Sequence, residues 1–512
     1  MALTMVMALA PAALAQAAVP GSLDGSYGNC GVLPAPRTAQ EAVPAGALPV
    51  PGGGLVAVGT DRDTLVTVRL GAGGQVDAAY GSGGVTQAKL GGFTAPSYRF
   101  AAVATQSGGR IVAAGAGGER NTSTARAVLA RLNADGSLDP TFGAAGVVTD
   151  ALPGGTQSTI EAVDVDSAER ILVAGRRDDA FVVARFTPDG APDQGFGTAG
   201  VAQVALPGFK SGAGTAIKAL PGGGAVAGGA ADEQFALVRL RADGTPDPGF
   251  GTAGATFDSP PASSGIRALA LLPDGRIVAG GFGDDINGQH QVVGRFTADG
   301  HADPTFGRGG FVLNGDVGTA DAIFPSPDTG SLFVVGGGFA RYTASGALDP
   351  TFGVRGVFPA SPPGFVVPQP DGSVLGVAGR RQPMAFERYA VADPALGGLA
   401  QQSPLCGVTI ETRRVKQLIR AGDESPFGGV DVGLTLVEPT SATWTMTARA
   451  GGRTYKFRTP RLKFDAAFPE GFVIPLTKRV HQRLARARSV QVTVTGRDSA
   501  GHVVTAERTL RP

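Results

Sequence analysis

The sequence predicts an all-β protein: a seven-bladed β-propeller over residues 22–400, followed by a small β-sandwich over residues 405–512. Three observations carry that expectation. A segment of the form Leu-Asp-Pro-Thr-Phe-Gly recurs at intervals of roughly 54 residues, the signature of a repeat architecture. Each interval holds short apolar runs punctuated by Gly, Pro and Asp, with no sustained 3.6-residue period. Glycine (80 of 512) and proline (37) are abundant, yet 43% of residues are hydrophobic. That is too apolar for a disordered chain and lacks the three-residue glycine period of collagen, so it fits many tight turns between short strands.

In chain order, Met1 to Ala15 are almost all apolar, and no Lys or Arg precedes Arg37. The run ends in Ala13-Leu14-Ala15, a small-x-small cleavage pattern, so residues 1–15 read as a signal peptide without its basic region, with Gln16 as the mature start. No other stretch reaches the ~18 apolar residues of a membrane helix, and no membrane span is expected after signal removal.

The repeat comes next. Its aromatic marker falls at Tyr27, Tyr80, Phe142, Phe196, Phe250, Phe306 and Phe352, with a decayed copy over Asp393 to Gly397. The intervals are 53, 62, 54, 54, 56, 46 and 44 residues. Arg69, Arg131, Arg185, Arg239, Arg295 and Arg341 each lie 11 residues before their aromatic, and Arg388 holds a similar place in the last unit. Constant phase within varying intervals places the variation in loops elsewhere. One unit reads as four strands: 161–165, 171–175, 181–186, and a fourth at Gly200-Val201-Ala202, with Asp189-Gly190 as a hairpin signal. Four antiparallel strands per unit, stacked face to face and closed in a ring, bury what one sheet alone leaves exposed. The repeated Arg and the Asp of the marker are expected to form a structural pair within each blade. A ligand-binding arginine ring is the alternative, disfavoured because the residue recurs in every unit.

These motifs resemble the bacterial delta-60 repeat. The matching residues include Asp274-Gly275-Arg276-Ile277-Val278-Ala279-Gly280 and Gly294-Arg295-Phe296-Thr297-Ala298-Asp299-Gly300, then the aromatic marker. The order is also similar to that of NHL-type propeller repeats. The resemblance spans roughly residues 22–400 and implies a secreted or surface protein of a bacterium. It implies no reaction and no catalytic residues.

Eight markers enclose seven intervals, so one marker strand is surplus. The N-terminal copy, Leu23 to Val32, suits the outer edge of the last blade, where it would close the ring; the decayed copy near Asp393 competes for that slot. The only two cysteines, Cys30 and Cys406, fall at this seam. In an exported protein such a pair reads as a disulfide, the alternative being two buried thiols.

From Leu405 onward the repeat stops. Segments 430–436, 441–447 and 489–495 alternate like half-buried strands, and a last strand is expected over 503–509. Residues 477–488 read as a short basic helix or crossover, and Trp444 as a core residue. The ending resembles Ig-like modules of secreted bacterial proteins. The net charge of +1 conceals a division: 18 Lys/Arg against 9 Asp/Glu from Leu405 onward leaves 26 against 34 before it. The whole chain carries no nucleic-acid signature.

No G-x-S-x-G elbow, P-loop or His/Cys metal spacing occurs, so no catalytic residue and no cofactor is assigned. The loops between second and third strands are acidic in several units, with Asp61, Asp63, Glu119, Asp178, Asp179, Asp232, Glu233, Asp284 and Asp285. If they converge, Asp61, Asp63, Asp178, Asp179, Asp284 and Asp285 are candidate Ca²⁺ ligands; ordinary hairpin polarity is the other reading. The function expected is an exported binding or scaffold protein whose face loops contact an unknown protein or cell-envelope polymer. The alternatives are a propeller-based enzyme (a lyase, hydrolase or quinone-dependent dehydrogenase) and a purely structural envelope protein.

Overall fold

The computed structural model describes Tyr27, residues 32–390 apart from short loop segments, and the strands between residues 405 and 510. Val32–Val391 form one compact unit, and the strands from Leu405 onward belong to a second. Among the described residues the chain is built of strands, with two single-turn 3₁₀ segments, Arg37–Ala39 and Ser107–Gly109, and no α-helix.

Among the described residues, the first unit holds seven four-stranded antiparallel sheets. Six of them use four consecutive strands each. The third is typical: Ser158–Val165, Ile171–Arg177, Ala180–Phe186 and Val201–Gln203 pair in that order. The seventh is composite. Phe365–Pro368, Ser373–Ala378 and Ala385–Ala390 supply three strands, and Val32–Pro34 supplies the outer edge, with Val32 opposite Glu387 and Pro34 opposite Ala385. The N-terminal segment thus takes the contested slot; the decayed marker copy lies outside the described residues.

The middle strands are apolar on both faces because each sheet is covered on both sides. In the third sheet, Ile171 and Val173 pack with Val112 and Leu129 of the sheet before. Leu172 and Ala174, pointing the other way, pack with Ile217 and Val238 of the sheet after. At roughly 1.5–3 kcal/mol for each fully buried large aliphatic side chain, stability resides between sheets rather than within them.

The first strands share an irregularity. Their pairing with the second strand slips by one residue, leaving Ala45, Ala101, Glu161, Thr215, Arg267 and Asp321 as extra residues in six sheets. Each is a β-bulge. Opposite each stands a glycine in the second strand. At Gly175 a Cβ would lie 2.0 Å from the Thr159 carbonyl oxygen, and at Gly229 one would lie 1.8 Å from that of Ala213. Only glycine admits this approach.

The second unit contains a three-stranded sheet, ordered Leu405–Ile410, Gly429–Leu436, Gly471–Pro475, and a four-stranded sheet, ordered Arg453–Phe464, Thr440–Ala450, Val490–Asp498, Val503–Leu510. All pairings are antiparallel, and Ala448, Val492 and Val494 are buried. The expected helix at 477–488 and the Trp444 side chain lie outside the described residues.

Candidate functional site

The repeated Arg and Asp meet in six sheets. Arg Nε stands 3.3 Å from the carboxylate in Arg69–Asp77, 2.8 Å in Arg131–Asp139, 2.7 Å in Arg185–Asp193, 2.8 Å in Arg239–Asp247, 2.8 Å in Arg295–Asp303 and 2.9 Å in Arg341–Asp349. The guanidinium lies over the marker ring, 4.7 Å from the centroids of Phe142, Phe196 and Phe306. The other Asp oxygen shapes the marker turn: Asp139 accepts hydrogen bonds from the Thr141 backbone N–H (3.0 Å) and hydroxyl (2.7 Å). All the marker aromatics, Tyr27 and Tyr80 included, are buried. Arg388 departs from the pattern, its Nε donating to Ser373 Oγ at 3.2 Å.

The pair was expected to act within each blade; the structure extends it to the next one. Arg131 Nη1 donates to the Pro188 carbonyl in the hairpin turn of the following sheet. Arg185 reaches the Ala242 carbonyl at 2.7 Å, and Arg239 and Arg295 reach those of Ala298 and Ala344. A backbone bond runs alongside: Gly143 N–H to Asp189 O (3.0 Å), Gly197 to Asp243 (2.8 Å), Gly251 to Asp299 (2.7 Å), Gly307 to Ser345 (2.8 Å). Gly244, in one of these turns, has φ +79° and would place a Cβ 2.5 Å from the Gly197 nitrogen, so the turn fits only as glycine. Arg131 spends its donors on Asp139, Gln106, Pro188 and Thr141. Such a guanidinium joins sheets.

This setting also governs protonation. Burial pushes the Asp139 and Asp349 carboxyls up, but hydrogen bonds from Thr141 and Thr351 and the paired arginines outweigh it, and both sit below the usual carboxylate range. Asp303 is lowered further, since Thr305, Arg276 and Arg295 all donate to it against the burial effect.

The acidic loops do different work. Asp178 accepts from the backbone of Thr156 (3.0 Å) and Gln157 (3.1 Å) and from the Thr156 hydroxyl (2.6 Å). Asp232 does the same for Lys210 and Ser211, and Asp63 holds the Thr64 hydroxyl and pairs with Lys89 at 3.6 Å. Asp178 and Asp232 therefore tie the second-to-third loop to the chain entering the first strand of the same sheet. The candidate Ca²⁺ ligands are distributed over separate sheets, Asp61 and Asp63 on the first, Asp178 and Asp179 on the third, Asp284 on the fifth. Among the described residues no three His, Cys, Asp or Glu side chains gather as a metal would require. The Asp285 side chain, Cys30 and the Cys406 side chain lie outside the described residues.

Sequence reasoning missed a cavity. A space of about 1120 Å³ is lined by residues of the first strand of every sheet in the unit and by Gly364, which precedes one. The bulged residues Glu161, Thr215, Arg267 and Asp321 face it from four consecutive sheets; Ala45, Ala101 and Phe365 line the remaining arc. Arg267 pairs with Asp321 at 3.1 Å and lies over the Phe282 ring at 4.9 Å. Arg99 and Lys218 add two further cations. The signal that would have found it is the glycine that recurs in the second strand of six units, Gly115, Gly175, Gly229 and Gly281 among them, and stands opposite the bulge.

Blade-like sheets repeated in sequence and joined by one recurring contact define a β-propeller repeat protein. A family model described as "Domain of unknown function (DUF5122) beta-propeller" matches residues 106–142, 170–196, 225–250 and 272–306, each stretch ending on a marker phenylalanine. Among solved structures, the WD40 β-propeller domain of Doa1 is similar at 12% identity and TM-score 0.43, over 72% of this chain and 96% of that one. A protein from Lactobacillus plantarum aligns at 18% identity and TM-score 0.38, over 61% and 86%. A luciferin-regenerating enzyme aligns at 11% identity and TM-score 0.33, over 61% and 97%. No curated protein matches the chain.

Proposed function

We propose that the seven sheets are the blades of one closed propeller of the delta-60 type, that the strands from Leu405 onward form an Ig-like β-sandwich, and that the whole is an exported, non-catalytic binding or scaffold protein at a bacterial surface. Its face loops contact a protein or a cell-envelope polymer. The observation that carries this reading is the recurrent contact between sheets: Arg, Asp, aromatic ring and turn keep their geometry in four units that vary from 54 to 62 residues. A frame held constant while its loops change length is how a rigid scaffold presents recognition surfaces. In this reading Cys30 and Cys406 form a disulfide, and residues 1–15 are removed on export.

The test is expression in a bacterial host with the native N-terminus. Expected are a mature chain starting at Gln16, a Cys30–Cys406 peptide in a non-reducing map, and retention on isolated cell walls or a captured surface protein. Charge reversal at the exposed loop residues Asp179 and Glu233 should weaken that retention without changing the melting temperature. An uncleaved cytoplasmic protein with two free thiols would overturn export, and retention unaffected by loop reversal would overturn the face-loop assignment.

A further inference from the structure

We propose that the axial cavity is a second binding site, for a small zwitterion with an apolar body, the chemistry of a short free peptide. The cavity, at about 1120 Å³, has room for a small-molecule ligand. Its polar groups are deliberately aimed. A β-bulge inserts a residue outside the ladder and re-aims its side chain. Here bulges in consecutive first strands turn Glu161, Thr215, Arg267 and Asp321 toward the same space. Each bulge stands against a glycine whose Cβ would meet the bulged strand's backbone.

The charges define the ligand. Arg267 and Asp321 neutralise each other across neighbouring sheets. Glu161, on the third sheet, lies between Arg99 on the second and Lys218 on the fourth, and among the described residues none of these three forms an ion pair. Two free cations and one free anion facing a shared space complement a molecule that carries both a carboxylate and an ammonium. Ala45, Ala101 and Phe365 on the remaining arc offer apolar contact for what lies between those groups. A purely anionic ligand would leave Glu161 unanswered, and a purely cationic one would leave Arg99 and Lys218 so.

Isothermal titration of the full chain with trialanine, N-acetyl-trialanine and trialanine amide tests the site. Free trialanine should bind, and each blocked form should bind at least tenfold more weakly. Glu161→Gln should lower affinity for the free peptide and leave that for the acetylated form unchanged. Arg99→Gln with Lys218→Gln should do the same with respect to the amide. Ala101→Trp, which sets an indole on the lining two residues from Arg99, should weaken binding at least tenfold while thermal unfolding and circular dichroism show the fold intact. No binding of trialanine at millimolar concentration, equal affinity for all three peptides, or affinity unchanged by Ala101→Trp would each overturn the proposal. The Asp179 and Glu233 charge reversals should leave peptide binding untouched, which separates failure here from failure of the face-loop reading.

Discussion

At the scale of the residue, the arginine of each unit is a joint rather than a charge. Burial decides what each joint is worth. The Arg131 and Asp139 side chains are 2% and 7% exposed, whereas those of Arg69 and Asp77 are 36% and 31% exposed. Breaking a buried pair strands a charge at roughly 3–5 kcal/mol, while an exposed pair contributes about 0–1 kcal/mol. Arg131→Met should therefore lower stability in urea by about 3 kcal/mol, and Arg69→Met by under about 1 kcal/mol; equal losses would refute the joint. Acid acts on the same contacts. Asp139, Asp193, Asp247, Asp303 and Asp349 are all held below the usual range, against burial, by hydrogen bonds and paired arginines. A depressed carboxyl stabilises the fold above its unfolded pKa and loses that effect as pH falls through its folded one. Thermal midpoints should hold from neutrality to about pH 4 and drop below it. Glu387 runs the other way, since burial raises it, but it stands against five. The Arg–aromatic phase was legible in the sequence because side chains repeat. The partner across the sheets was not, because a backbone carbonyl leaves no mark on composition.

At the scale of the element, the strands of the third unit lie where alternation and turn signals place them, with one instructive exception. Residues 161–165 read as a clean Glu-Ala-Val-Asp-Val alternation, but the strand begins at Ser158 and slips register at Glu161. A bulge tolerates Ala, Glu, Thr, Arg or Asp alike, so no residue type announces it, and the cavity it lines went unread. What it does demand is the facing glycine. Gly175→Ala would drive a Cβ against the Thr159 carbonyl and force the bulge to move. The expected loss is about 1–3 kcal/mol by chemical unfolding. An unchanged midpoint would mean the register slip is not fixed by that contact. The acidic loops show the opposite limit. Their carboxylates were visible, but whether carboxylates converge on an ion or cap a neighbouring backbone depends on which sheet each belongs to, and that is a property of the fold.

At the scale of the molecule, the two ends of the first unit meet where Val32 to Pro34 pair with the edge of Ala385–Ala390 and where the Gly54 backbone N–H donates to Gln369 Oε1 at 2.7 Å. Removing the chain through Pro34 leaves that edge unpaired, and an unpaired edge is a template for another chain. The truncated protein should melt earlier and self-associate with rising concentration in light scattering; a monomer of undiminished melting temperature would show that the seam carries no load. Away from the seam, the four successive joints from the second sheet to the sixth are the same joint. An arginine, an aspartate and an aromatic of one unit meet the turn of the next, always in the same direction along the chain. Any of these units therefore fits after any other. A gene encoding such a chain can gain or lose one whole period in a single recombination event without a new interface having to be invented, and only its two ends must stay matched to each other.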